Sequence, residues 1–317
     1  MVNFRFHVVS IIAIFLAIAI GTVMGATFVG RGVIDRLQNR IDTVQQNADD
    51  ARSKNEELRA AADENAKYVD QTANYAVGRS LAGVRIDLVA ERGVDGGIVD
   101  KQVDLLRSAG ATVPGVVWLE DSWKLTESDQ LTALRDATGL SNRTPTPLRL
   151  AAAGLLGRRL ATVAPVLTED VLGKLADAKF VSLSAASGGT APVAADFTGE
   201  GARTLLLGGP GSSVPADTTP ALAAGLVDGN AALAIGEIFG TVGEVTERDA
   251  WIDAIAGDDA LRSHVSTIDD VDLVEGRVAA TLALAELGTG ASGNYGLGRE
   301  RAVPANVVVN PVSPVAR

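Results

Sequence analysis

The side chains able to do chemistry are few and scattered. The 317 residues include no Cys, two His and two Met, which excludes thiol nucleophiles, disulfides, zinc–thiolate sites and iron–sulfur clusters together. The soft ligands are His7, His264, Met1 and Met24, far apart along the chain. A Ser-His-acid triad would have to recruit His264, and no GxSxG elbow exists to present its nucleophile; Ser184 and Ser187-Gly188-Gly189 lack that context. Ser263-His264-Val265 reads as a strand edge, which makes His264 structural. Gly208-Gly209-Pro210-Gly211-Ser212-Ser213 follows the apolar run Leu205-Leu206-Leu207, where an α/β protein places a phosphate-cradling turn. It lacks GK[ST] and the GxGxxG spacing, and Pro210 removes one amide donor, so a turn into a helix entered through Thr219-Pro220 is expected. Asp258-Asp259 and Asp269-Asp270-Val271-Asp272 are clusters of the kind that attract Mg²⁺ or Ca²⁺, but neither fits an EF-hand loop. They are expected to be solvated or to cap helices. Trp118, Trp123 and Trp251 read as core anchors rather than a sugar-stacking platform. No catalytic constellation assembles, so the expectation is a non-enzyme without cofactor or metal ligands.

The elements that surround these residues begin with a membrane segment. Val8 to Val29 carry no charged side chain and rise roughly 33 Å as a helix, against a hydrocarbon core of about 30 Å. That exceeds the apolar stretch of a cleaved signal, so residues 8–30 are expected to be a transmembrane helix preceded by a short tail, residues 1–7. Ala17, Gly21 and Gly25 recur every fourth position and share a face on which two backbones can approach closely. Flanking charge does not fix the orientation. Arg5 and the α-amino group stand on one side and Arg31, Arg36 and Arg40 on the other, while long domains cross largely regardless of such charges.

From Val33 to Val77 there is neither Gly nor Pro, so one helix of roughly 68 Å can run unbroken. A 3.5-residue repeat places Ile34, Ile41, Ala48 and Asn55 at a, with Leu37, Val44, Ala51 and Leu58 at d. The register continues through Ala62, Val69 and Ala76 at a, with Asn65 and Thr72 at d, and weakens after the first two heptads. Residues 31–77 are therefore expected to form a parallel homodimeric coiled coil. Pairing is expected because an isolated polar rod buries too little to be stable alone, and Asn55 at an a position fits a residue that selects register at a cost in stability.

After Gly78 the pattern alternates between strand and helix. Strands are predicted over Val84–Ala90, Thr112–Leu119, Phe180–Leu183, Thr204–Leu207, Ala231–Ile238 and Val265–Ile268. Helices are predicted over Ile98–Ser108, Gln130–Ala137, Leu148–Leu160, Glu169–Ala178, Pro220–Val227, Arg248–Ala256 and Glu275–Leu287. The fold class is α/β: a single transmembrane helix, a long coiled-coil helix, then a mainly parallel sheet flanked by helices over residues 78–290. Residues 291–317, rich in Gly and then Pro, are expected to form a flexible tail. The formal charge is −11, and residues 77–289 hold 17 basic against 29 acidic side chains. An acidic domain disfavours nucleic acid and anionic wall polymers and favours protein partners.

The order of these pieces resembles the actinobacterial family called MctB or SteB, described both as a copper-transport protein and as a cell-division protein. The resemblance is carried by Phe4-Arg5-Phe6-His7-Val8-Val9-Ser10 running into Phe15–Gly21 and by the heptad rod. It continues through Leu105–Val113 and ends with Val271–Leu287 followed by Ser292-Gly293-Asn294-Tyr295-Gly296. Where relatives often carry His, this chain has Asn294, so no metal ligand is implied there. The resemblance implies a membrane-anchored, non-catalytic partner of a SteA-like membrane protein that promotes a peptidoglycan hydrolase for daughter-cell separation, with residues 1–7 a cytoplasmic tail and the residues beyond Arg31 extracytoplasmic. Its alternative implication is copper transport or homeostasis. Against that stand the absent thiolates and the scattered His and Met, because copper(I) selects sulfur ligands and copper(II) imidazole.

Overall fold

The computed structural model describes residues 4–141, 144–162, 170–185, 190–197, 199, 201–239, 250–257, 261, 264–296 and 304, with backbone alone for 26–35, 250 and 256. Helix α1 runs from Phe4 to Val77 without a break, as a stretch without Pro allows. Its first part, through Lys67, is one structural unit, and Tyr68 onward belongs to the α/β unit. The α/β unit continues with β1 (Arg85–Glu91), α2 (Gly96–Ser108), β2 (Val116–Leu119), α3 (Ser128–Thr138), α4 (Pro145–Ala161), α5 (Val171–Asp177), β3 (Val181–Ser184), β4 (Ala202–Gly208) and α6 (Thr218–Asp228). It closes with β5 (Ala232–Glu237), α7 (Ala250–Ala256), β6 (Val265–Ile268), α8 (Val274–Leu287) and β7 (Asn294–Tyr295).

The strands form one sheet in the order β3-β2-β1-β4-β5-β6-β7, parallel except for β3, which runs against β2. Ile86, Leu88 and Ala90 face a core shared with α2 and α8. Val89 and Val117 face a second core shared with α3, α4, α5 and α6. Helices on both faces bury a parallel sheet completely, which is why the strands are apolar runs. On the second face α4 meets α6 through glycines. A Cβ on Gly157 would overlap the Leu222 carbonyl, and one on Gly225 the Gly154 carbonyl.

Three expectations are corrected. The second strand starts at Val116, not Thr112, because Pro114 cannot donate to a ladder; Thr112 instead makes an isolated bridge to Arg85. The C-terminal ten residues of the predicted rod belong to the α/β unit. Ala73 and Val77 are buried in its first core and Val69 and Thr72 are half-buried, while Ala76, placed at an a position, is exposed; the face that turns onto the domain lies beside the predicted seam and only partly overlaps it. The predicted flexible tail contains a strand: Asn294–Tyr295 pairs with β6, and the fully buried Tyr295 hydroxyl donates to the Glu286 carboxylate on α8.

Candidate functional site

Two places merit the description, one on α1 and one at the carboxyl ends of the strands. Phe4–Gly25 is the one helix segment among the described residues long and apolar enough to cross a membrane, with a mean hydropathy of 2.6 and no buried position. Ala17, Gly21 and Gly25 lie on it, and a Cβ on either glycine would meet nothing within 4 Å. Ile34 lies in the same helix, among the residues described by backbone alone. Beyond it the seam is bare: Leu37 is 54% exposed, Ile41 55%, Val44 67% and Leu58 59%, and Ala48, Ala51 and Asn55 are exposed too. Leu37, Ile41, Val44 and Ala48 line an open groove of about 430 Å³ on this helix. Leaving four large aliphatic side chains on one stripe in water costs free energy that a second helix would recover.

In doubly wound sheets ligands bind where the strand order reverses, outside the carboxyl ends of the strands. Here that point lies between β1 and β4, and it brings together residues that sequence reasoning treated separately. Glu91, at the end of β1, is buried, and burial pushes its carboxyl above the ordinary range against hydrogen bonds from Thr219, Ser212, Trp251 and the Gly209 amide. Thr219 Oγ1 donates to Glu91 Oε1, as does Trp251 Nε1 at 3.2 Å. The Trp251 indole lies against Gly208 so closely that a Cβ there would overlap it. Across the crevice Gly93, at φ 100°, sits against the Gly211 carbonyl, a position that only glycine fills comfortably.

The loop amides that would cradle an anion are already committed. Ser213 N–H donates to the Arg92 carbonyl at 2.7 Å, Ser212 N–H to the Gly209 carbonyl at 3.0 Å and Val214 N–H to Ser212 Oγ at 3.0 Å. The Gly208 loop is therefore the turn the sequence predicts, leading into α6 two residues before Pro220. Beside it Arg92 stacks on Trp118 with its guanidinium carbon 4.4 Å from the ring centre, and pairs with Glu120 at 2.9 Å. Ser182 Oγ donates to the same carboxylate at 2.5 Å.

The remaining candidates disperse. Trp123 is a core anchor, its Nε1 donating to the Phe180 carbonyl at 2.8 Å and its ring edge-on to Phe180. Ser184 Oγ accepts from Trp118 Nε1, and Ser187-Gly188-Gly189 and Asp258-Asp259 lie outside the described residues. His264 is exposed immediately before β6. The expectation of solvated or capping aspartates fails at Asp269 and Asp270, which are buried where Gly296 and Gly276 approach too closely to allow a Cβ. Gly296 reaches them from more than 25 residues away, a contact that no local pattern signals, while Gly276 lies in the first turn of the helix that follows.

A family model described as "Copper transport outer membrane protein, MctB" matches residues 1–304. The chain belongs to the MctB family. No curated protein matches it. For a member of the MctB family, copper would be cargo, and the described residues contain no group of three or more His, Cys, Asp or Glu able to hold a metal ion. Among the described residues the chain offers an apolar helix segment long enough to cross a membrane, a stripe of exposed aliphatic side chains beyond it, and an α/β domain in which Trp251 and Glu91 pack against Gly208 at the strand ends.

Proposed function

We propose that this chain is a membrane-anchored, non-catalytic partner protein of the cell-division and cell-wall machinery. In this reading it acts as a homodimer with its N-terminus cytoplasmic and its α/β domain extracytoplasmic. Together with a SteA-like membrane protein it promotes a peptidoglycan hydrolase during daughter-cell separation. The observation that carries the reading is the bare stripe Leu37, Ile41 and Val44 on a helix continuous with the membrane segment. A solitary helix gains little from propensity, whereas pairing two copies buries that stripe and leaves the globular domains free to hold other polypeptides. The closed crevice at Glu91 and Trp251 supports a scaffold rather than a small-molecule enzyme.

Because the chain has no Cys, single-cysteine reporters test the pairing cleanly. Leu37→Cys and Ile41→Cys, introduced one at a time into the full chain in membranes, are expected to give disulfide dimers under mild oxidation. Asp49→Cys, off the seam, is expected to give far fewer. Equal cross-linking at all three positions removes the coiled-coil reading. In cells, a deletion is expected to leave chained, unseparated daughters with ordinary copper tolerance. The family description favours copper transport as the second reading, and copper-sensitive but normally separating cells would establish it in place of the first.

A further inference from the structure

The charges beside the seam carry information that the seam itself does not. In the heptad register, positions e and g flank the a and d residues, and in a parallel pair g of one helix faces e of the next heptad on the other. Between Arg36 and Lys67 the charged residues at e and g are Arg40, Arg52, Lys54 and Arg59, all basic. Every carboxylate of that stretch, from Asp42 to Glu64, falls at b or c, away from the seam. The structure leaves the basic flank open. Arg52 and Lys54 are exposed and make only i,i+3 surface pairs, to Asp49 at 3.5 Å and Glu57 at 3.4 Å, which contribute little in water.

Two identical helices cannot satisfy such a flank. Paired in parallel, Lys54 of each copy faces Arg59 of the other; paired antiparallel, e meets e and g meets g, again basic on basic. Like charges set opposite one another select against that neighbour. The cost falls on the distal half, where the seam is Ala48, Ala51, Asn55, Leu58, Ala62 and Asn65, and the single large aliphatic side chain, Leu58, offers too little apolar area to outweigh it. The proximal half, with Leu37, Ile41 and Val44, has the apolar area to hold two copies.

We propose that residues 48–65 of α1 are the docking surface for an acidic amphipathic helix of a partner protein, one with aliphatic residues along one face and Asp or Glu on both flanks of it. The proposal rests on the reading of α1 as a partner-binding helix and names the chemistry of what it binds. Two copies joined at Leu37, Ile41 and Val44 bring Arg52 and Arg59 of one copy beside Lys54 of the other on each side of the pair. An acidic helix laid in that groove neutralises both rows and covers the small residues between them. Helix-in-groove recognition of this kind takes its affinity from the apolar face and its selectivity from the flanking charges.

The test uses the full chain in detergent micelles and two labelled synthetic coils about three heptads long. Both have Leu at d and Ala at a; one carries Glu at every e and g, the other Lys. Fluorescence anisotropy is expected to show binding of the Glu coil, weakened at least about tenfold between 50 and 500 mM salt, and none of the Lys coil. Lys54→Glu with Arg59→Glu is expected to weaken the Glu coil at least about tenfold and to admit the Lys coil. Arg52→Glu, an independent change on the same exposed face, is expected to act in the same direction. Equal binding of both coils, binding of neither, or indifference to the charge reversals overturns the proposal. The Leu37→Cys cross-link, measured in parallel, separates the two readings. A cross-link without Glu-coil binding overturns only the acidic-helix proposal, and Glu-coil binding without a cross-link overturns only the homodimer.

Discussion

Trp251 closes the crevice at the end of β4 by lying directly over Gly208, with its indole nitrogen bonded to Glu91. The glycine and the tryptophan are a fitted pair: the absent side chain of one makes the room that the other fills. Gly208→Val is therefore expected to force the indole out and destabilise the domain by roughly 1–3 kcal/mol. Trp251→Phe keeps most of the packing but leaves Glu91 with one donor fewer, and is expected to cost about 1 kcal/mol. Chemical denaturation of the two variants checks the order; a neutral Gly208→Val would show that the crevice is open.

Asp87, in the middle of β1, is buried, and burial pushes its carboxyl up to about 7 despite the Arg85 guanidinium at 3.6 Å and the more distant Arg159. An unfolded Asp titrates near 4. Between about pH 4 and about pH 7 the native state thus holds a proton that the unfolded chain has released, so raising the pH favours unfolding. Stability is expected to be highest below about pH 4 as far as this group is concerned, and to fall as the pH rises to about 7, by up to roughly 4 kcal/mol. Asp87→Asn is expected to flatten that slope and to be the more stable protein at pH 8. A variant with the same slope as the parent would assign the pH dependence elsewhere.

Arg159 on α4 and Asp170 before α5 form a buried bidentate pair, Nε to Oδ1 at 2.6 Å and Nη2 to Oδ2 at 2.7 Å. The same guanidinium donates to the Phe197 carbonyl at 2.8 Å and the Ala194 carbonyl at 3.1 Å, tying three separate segments together. Arg159→Met is expected to cost about 3–5 kcal/mol, because it strands a buried carboxylate. Arg159→Met with Asp170→Leu is expected to recover much of that loss, and thermal unfolding of the pair of variants measures the difference.

Tyr295→Phe removes the donor to the Glu286 carboxylate, which is buried with it. A cost of about 1–3 kcal/mol is expected, with faster hydrogen exchange at Thr267 and Ile268, whose strand partners are Asn294 and Tyr295. Exchange unchanged at those amides would mean that β7 holds without the hydroxyl.

What could be read from the sequence was whatever depends on local spacing. The helix from the membrane segment through Val77 follows from the absence of Pro, and the β1, α2, β4 and β6 segments from their apolar periods, because periodicity is a property of consecutive residues. The 3.5-residue spacing of Leu37, Ile41 and Val44 was legible for the same reason, and these three side chains are exposed on α1.

Only the tertiary structure decided where distant segments meet. The sheet order, the reversed β3 and the placement of Glu91 against Trp251, 160 residues away, depend on crossovers whose destinations no local pattern encodes. Asp269 and Asp270 read as solvated or capping because carboxylates near a turn usually are; Gly296, brought over them by the fold, and Gly276, in the first turn of α8, close over them instead. Likewise Val69, Thr72, Ala73 and Val77 carry no sign in the sequence that they pack on their own domain. An apolar helical face records that it will be covered, and the partner is chosen by what the rest of the chain brings within reach.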